Sequence, residues 1–122
     1  MKVNENTKRI AFAAAKFLDG RKAEDIVIID IASRAAFADY MVVCSGNSER
    51  QIRNLADDLK DKLAEDGVFA KNTEGETSSG WLLIDFGDVI VNVFTNEMRQ
   101  RYNIEKVWGD CAFINLEGEI QL

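Results

Sequence analysis

Gly80-Trp81-Leu82-Leu83-Ile84-Asp85-Phe86-Gly87-Asp88-Val89-Ile90-Val91-Asn92-Val93-Phe94 is the stretch whose reading decides the fold. Two apolar runs, 81–86 and 89–94, flank Gly87-Asp88. Glycine at the first turn position suits a type II′ hairpin, in which the flanking residues pair directly. Phe86 then faces Val89, Ile84 faces Val91 and Leu82 faces Val93, and this wholly apolar side belongs to the core. The other side pairs Asp85 with Ile90, Leu83 with Asn92 and Trp81 with Phe94. A one-residue slip would exchange the two sides, so the turn fixes the assignment. The mixed side, carrying Trp81, suits either a covering helix or a partner, because tryptophan is at home where one edge is dry and the other wet.

Downstream, Thr95 can cap a helix with Glu97 in its first turn. Met98 and Tyr102 stand at i,i+4. Asn103 is a candidate break, after which Ile104, Val107 and Trp108 form a second short apolar stripe with Glu105 between them. Tyr102 and Trp108 can clamp this segment to the sheet or meet a partner. Gly109 to Leu116 can add a last strand, and a frayed tail is expected from Glu117, covering 118–122.

Upstream, residues 5–19 read as a helix whose inner face is Thr7, Ile10, Ala11, Ala14, Phe17 and Leu18, with Gly20 as its stop. Ile26 to Ile31 is a short, β-branched apolar run of the kind buried on both faces of a sheet. Tyr40 to Ser45 is a second such run. Gly46-Asn47-Ser48 ends it and caps a helix to about Asp66, whose apolar stripe is Ile52, Leu55, Ala56, Leu59 and Leu63. Its outer face carries a run of charges in which Arg53–Asp57 and Asp58–Lys62 are opposite-sign i,i+4 pairs. Gly67 closes it. Val68 to Thr73 is expected as an edge strand, and Glu74 to Gly80 as a surface loop. The order predicts an α/β fold: one domain, 1–122, with a mixed sheet of about five strands flanked by helices. The passage from Tyr40 to Thr73 is expected to be a parallel crossover.

The 122 residues contain no histidine and no proline, and two cysteines, Cys44 and Cys111. Without histidine there is no Ser-His-Asp triad, no Cys-His pair and no His-containing metal site. The cysteines are expected as buried thiols rather than a disulfide. No run approaches the roughly 20 apolar residues that span a bilayer. The N-terminal residues enter an amphipathic pattern without an apolar signal core, which favours the cytoplasm. The net charge of −6 disfavours nucleic acid as the main partner and suits a basic protein surface.

Three chemical readings can be tested against the residues. Gly46-Asn47-Ser48 resembles a phosphate-binding turn, but it lacks the glycine spacing and the Lys-Ser/Thr ending of a P-loop. Nucleotidyl transfer would need paired carboxylates to hold Mg²⁺. No Asp-x-Asp follows the turn, although Asp30 and Asp39 sit near strand ends and can converge. Cys44 has no histidine to activate it.

The chain resembles the ribosomal silencing factor family, also called Iojap-like, from about Ile10 to Leu116. The marks are Lys22-Ala23-Glu24-Asp25-Ile26, Asp39-Tyr40-Met41-Val42-Val43, Ser45-Gly46-Asn47-Ser48, Glu74-Gly75, Trp81 through Val89, and Arg99 to Trp108 with Tyr102, Glu105 and Trp108. The resemblance implies a nucleotidyltransferase-like fold without the catalytic carboxylates, and no enzymatic activity, cofactor or metal. It implies binding to the large ribosomal subunit through large-subunit protein fourteen, a block to small-subunit joining, and repression of translation when nutrients are short. It also implies a homodimer when free. The expected contact set is Trp81, Tyr102, Glu105 and Trp108 as anchors, with Glu74, Glu76 and Asp85 supplying negative charge. Two positions depart from the family pattern: Asn92, where a histidine is usual, and Arg101, where an aromatic is usual. The alternatives are a nucleotide-binding or nucleotidyltransferase-like enzyme, and an interaction module for a non-ribosomal partner.

Overall fold

A computed structural model describes residues 5–117 and 120–121. The elements run α1 (Glu5–Gly20), β1 (Glu24–Asp30), β2 (Tyr40–Gly46), α2 (Glu49–Glu65), β3 (Asn72–Glu74), a 3₁₀ turn (Thr77–Ser79), β4 (Trp81–Asp85), β5 (Val89–Thr95), α3 (Asn96–Tyr102), α4 (Ile104–Val107), β6 (Ala112–Ile114) and β7 (Ile120–Gln121). They form one mixed sheet in the order β3-β4-β5-β2-β1-β6-β7. β2 and β5 are parallel, and the other neighbours are antiparallel.

The hairpin forms in the expected register. Leu82 faces Val93, Ile84 faces Val91, Trp81 faces Phe94 and Leu83 faces Asn92. The Phe86 N–H donates to the Val89 carbonyl at 2.9 Å. Gly87 adopts φ +102°, which an L side chain resists, and its N–H is held by Asp85 Oδ1 at 2.7 Å.

Two apolar layers sit on opposite faces of the sheet. On one, α1 and α2 press Ala11, Leu18, Ile52 and Leu59 against Val42, Cys44, Ile84 and Val91. The α2 stripe is buried as its periodicity dictates, and Ser48 accepts from the Gln51 N–H as its N-cap. On the other, Ile29, Met41, Val43, Ile90 and Phe94 are covered by Ile31 and Ala38 of the β1–β2 loop and by partly buried Met98, Ile104, Trp81 and Trp108. Among the described residues no long helix covers this second face, and several of its apolar side chains reach solvent.

The structure corrects the expectation in several places. Among the described residues the sheet has seven strands rather than about five, because β6 and β7 extend it beyond β1. Within the expected frayed tail, Ile120 and Gln121 pair with Ile114 and Phe113; 118, 119 and 122 lie outside the described residues. The strand expected at 68–73 is shorter and later, since Val68 and Ala70 turn in against the helical layer instead of pairing. It runs parallel to β2, as a crossover requires, but lies beyond β5 and β4. The loop expected at 74–80 contains the end of β3 and the 3₁₀ turn. The i,i+4 pairs expected on α2 give way to Asp57–Lys60 at 3.7 Å and Lys62–Glu65 at 3.9 Å, while Asp58 reaches Arg21 at 2.9 Å. Val107, expected in an apolar stripe, is 59% exposed.

Candidate functional site

The second face carries the aromatic residues singled out from sequence. Trp81 is half-buried. Its indole stacks on Phe94 with centroids 5.3 Å apart and meets Tyr102 at 4.8 Å. The indole N–H donates to Asn92 Oδ1 at 2.8 Å. Asn92 itself is fully buried, and its Nδ2 has no hydrogen-bond partner. Tyr102, at the end of α3, is 48% exposed.

Trp108 lies further along the same face, at the end of α4. Phe37 packs beside it with centroids 6.3 Å apart, and the Arg34 guanidinium sits 5.3 Å from its ring centre. Arg34 also donates to the Val107 carbonyl at 2.9 Å and to Asp110 Oδ1 at 2.7 Å, latching the β1–β2 loop onto the segment that carries Trp108. Phe37 and Arg34 were not singled out from sequence, because the loop they occupy shows no periodicity. Cys111 is half-buried next to this latch. Burial, then the carboxylates of Asp110 and Asp30, raise its thiol pKa, while Arg34 opposes them.

The remaining expected contacts divide. Asp85 is half-buried on the Trp81 side of β4, and Asn72 and Glu74 lie opposite Asp85 and Leu83 in the register, so Glu74 shares this face. Glu76 is exposed at the far edge, beside a cleft of about 370 Å³ between α2 and the loop before the 3₁₀ turn. It is therefore separated from the aromatic group. Glu105 is turned inward. Its two oxygens accept from Arg99 Nε and Nη2, both at 2.9 Å.

In open α/β sheets ligands sit beyond the carboxyl ends of parallel strands, here Gly46 and Thr95. Asp30 and Asp39 flank the start of β2 instead, since Asp30 faces Tyr40. At about 3.3 Å per residue they stand roughly 20 Å from the turn. Adjoining clefts of about 470 and 560 Å³ do lie at the Gly46 end, lined by Glu24, Asp25, Arg99 and Glu105 among others. Arg99 is the one cation among the described lining residues, and Glu105 already matches its charge. Such a lining repels phosphate. The Gly46-Asn47-Ser48 turn serves instead to cap α2, with Gln51 Oε1 accepting from the Asn47 N–H at 2.7 Å.

The family described as "Ribosomal silencing factor during starvation" matches residues 4–121. A ribosomal silencing factor of Bacillus subtilis is 40% identical over 112 residues, covering 92% of this chain and 95% of the relative. That of Halalkalibacterium halodurans is 41% identical over 107 residues, covering 88% and 92%. An X-ray structure of a protein from Chromobacterium violaceum superposes with a TM-score of 0.81 at 36% identity, covering 84% of this chain and 86% of that one.

Proposed function

The chain belongs to the ribosomal silencing factor family, and from that premise we propose that it binds the large ribosomal subunit through large-subunit ribosomal protein fourteen. Seated there, it occupies surface that the small subunit needs, and so represses translation when nutrients are short.

The observation that carries this reading is the aromatic face. Trp81 and Tyr102 touch at 4.8 Å, and Trp108 lies on the same side of the sheet. Each ring keeps part of its surface in solvent while its body is held by the protein. Such rings lose little freedom on binding and anchor interfaces well. Glu74 and Asp85 border them, and the net charge of −6 favours approach to a basic ribosomal protein. Glu76 contributes only to that general field.

The mechanism needs no catalysis. A ligand that covers part of the joining surface lowers subunit association by mass action, and a standard interface of about 1,600 Å² supports useful affinity. In the same reading the protein acts in the cytoplasm and is a homodimer when free. Sedimentation with isolated large subunits tests the proposal. Trp81→Ala and Trp108→Ala should each abolish co-sedimentation, and added salt should weaken binding of the unaltered protein. Normal binding by soluble, folded forms of both variants would place the docking face elsewhere.

A further inference from the structure

α3 has seven residues and α4 only four, both too short to hold their shape alone. Yet they carry Tyr102 and lead into Trp108. α3 has one buried residue, and it is charged: Arg99, 8% exposed. Its guanidinium grips Glu105 of α4 with two bonds of 2.9 Å. Nη2 also donates to the Asp25 carbonyl at 2.7 Å, and Nη1 reaches Ser45 Oγ at 3.4 Å. Asp25 sits where the β1–β2 register shifts between Glu24 and Val27, with φ +49°. That irregularity turns its carbonyl out of the ladder and toward Arg99. Ser45 is fully buried on β2 and donates to the Glu24 carbonyl at 3.2 Å. Between α3 and α4 stands Asn103 at φ +46°, a one-residue corner.

One side chain thus ties α3, α4, the β1 bulge and β2 together. A buried ion pair is a weak source of stability, because desolvating two charges cancels most of their attraction. What this one supplies is direction: the planar fork accepts Glu105 in a single orientation. We propose that Arg99 and Glu105 are positioning residues, which fix the angle between α3 and α4 and thereby the spacing of Tyr102 and Trp108 on the face that docks. The proposal rests on the docking reading above for its effect on affinity, and on geometry alone for its effect on the rings.

The test combines two readouts. Protein labelled with 5-fluorotryptophan gives one ¹⁹F resonance for each of Trp81 and Trp108, and co-sedimentation with isolated large subunits gives the affinity. The double variant Arg99→Met/Glu105→Leu replaces the ion pair by apolar groups. It should stay folded with a midpoint lowered only by the lost Asp25 and Ser45 contacts, broaden or split the Trp108 resonance, and bind at least about tenfold more weakly. Arg99→Lys keeps the charge without the fork and should show the same changes in smaller degree, which covers the case in which the double variant fails to fold. Arg21→Met, which breaks the distant pair with Asp58, should leave both readouts alone. A folded double variant, or Arg99→Lys, with unchanged resonances and affinity would overturn the proposal. If Trp81→Ala and Trp108→Ala bind normally, the docking reading falls, and the ¹⁹F spectra still decide whether Arg99 positions Trp108.

Discussion

Trp81 donates its indole N–H to Asn92 Oδ1 at 2.8 Å, and Asn92 is sealed from solvent with its Nδ2 unpaired. The pair therefore combines one satisfied contact with one orphaned donor, and a buried orphan costs about 1–3 kcal/mol. Trp81→Phe should destabilise by roughly that amount, since it strands both polar atoms of Asn92. Asn92→Leu should cost less, within about 1 kcal/mol, because it exchanges the sealed Nδ2 orphan for an unpaired indole N–H on half-buried Trp81. The double variant should be more stable than the sum of the single effects predicts. Urea unfolding of all four proteins measures the coupling, and simple additivity would refute it.

Gly80 closes the 3₁₀ turn at φ +76° and lies against Thr95 and Met98, the start of α3. Its carbonyl accepts from the Thr95 N–H at 2.9 Å. A Cβ there would strike the Met98 side chain and the Thr95 hydroxyl that caps the helix. Gly80→Ala should cost about 2 kcal/mol or more, through left-handed strain and the displaced cap. Gly20, with open space around it, serves as the comparison, and Gly20→Ala should shift the unfolding midpoint far less.

Burial pushes the Cys44 thiol up to about 12 from an ordinary value of 9.0, with Arg99 opposing. The folded protein holds this proton where the unfolded chain releases it. The stabilisation is therefore complete below pH 9 and is lost as pH climbs from 9 toward 12. The slope attributable to Cys44 should approach about 1.4 kcal/mol per pH unit in that window. Urea unfolding of the native protein and of Cys44→Ala at pH 8, 9.5 and 10.5 should show the native curve falling more steeply. Parallel curves would refute the assignment. In native buffer a thiol reagent should modify the half-buried Cys111 first.

The parts of the fold that could be read in advance are those with a repeating signal. The hairpin is two apolar runs of matched length, and Gly87 pins their register, so all pairings from Trp81–Phe94 to Asp85–Ile90 follow. Five apolar residues at helical spacing specify the inner face of α2. β3 and β6, at three residues each, are too short to carry a period, and their pairing depends on which edge remains open once the centre has formed. Of the expected contacts, Trp81, Tyr102 and Trp108 come together on one face because strand alternation and the Asn103 corner put them there. Glu105 is turned inward onto Arg99 for a reason no local pattern displays: Arg99 is a charged residue buried among segments distant in sequence. The available hint was the arginine and glutamate on either side of an asparagine able to turn the chain.

The pairing of β1 with β6 has a kinetic consequence. β1 is rich in isoleucine and valine, and its outer edge stays open until Phe113 reaches Ile29. The central β2–β5 ladder likewise waits for the whole of α2 and the hairpin. Nonlocal closure of this kind is slow. During synthesis the chain must therefore spend an interval with a bare hydrophobic strand edge, a template for pairing with a neighbouring nascent copy. Slower release of residues 112–121 should lengthen that interval and raise the share of protein lost to aggregation.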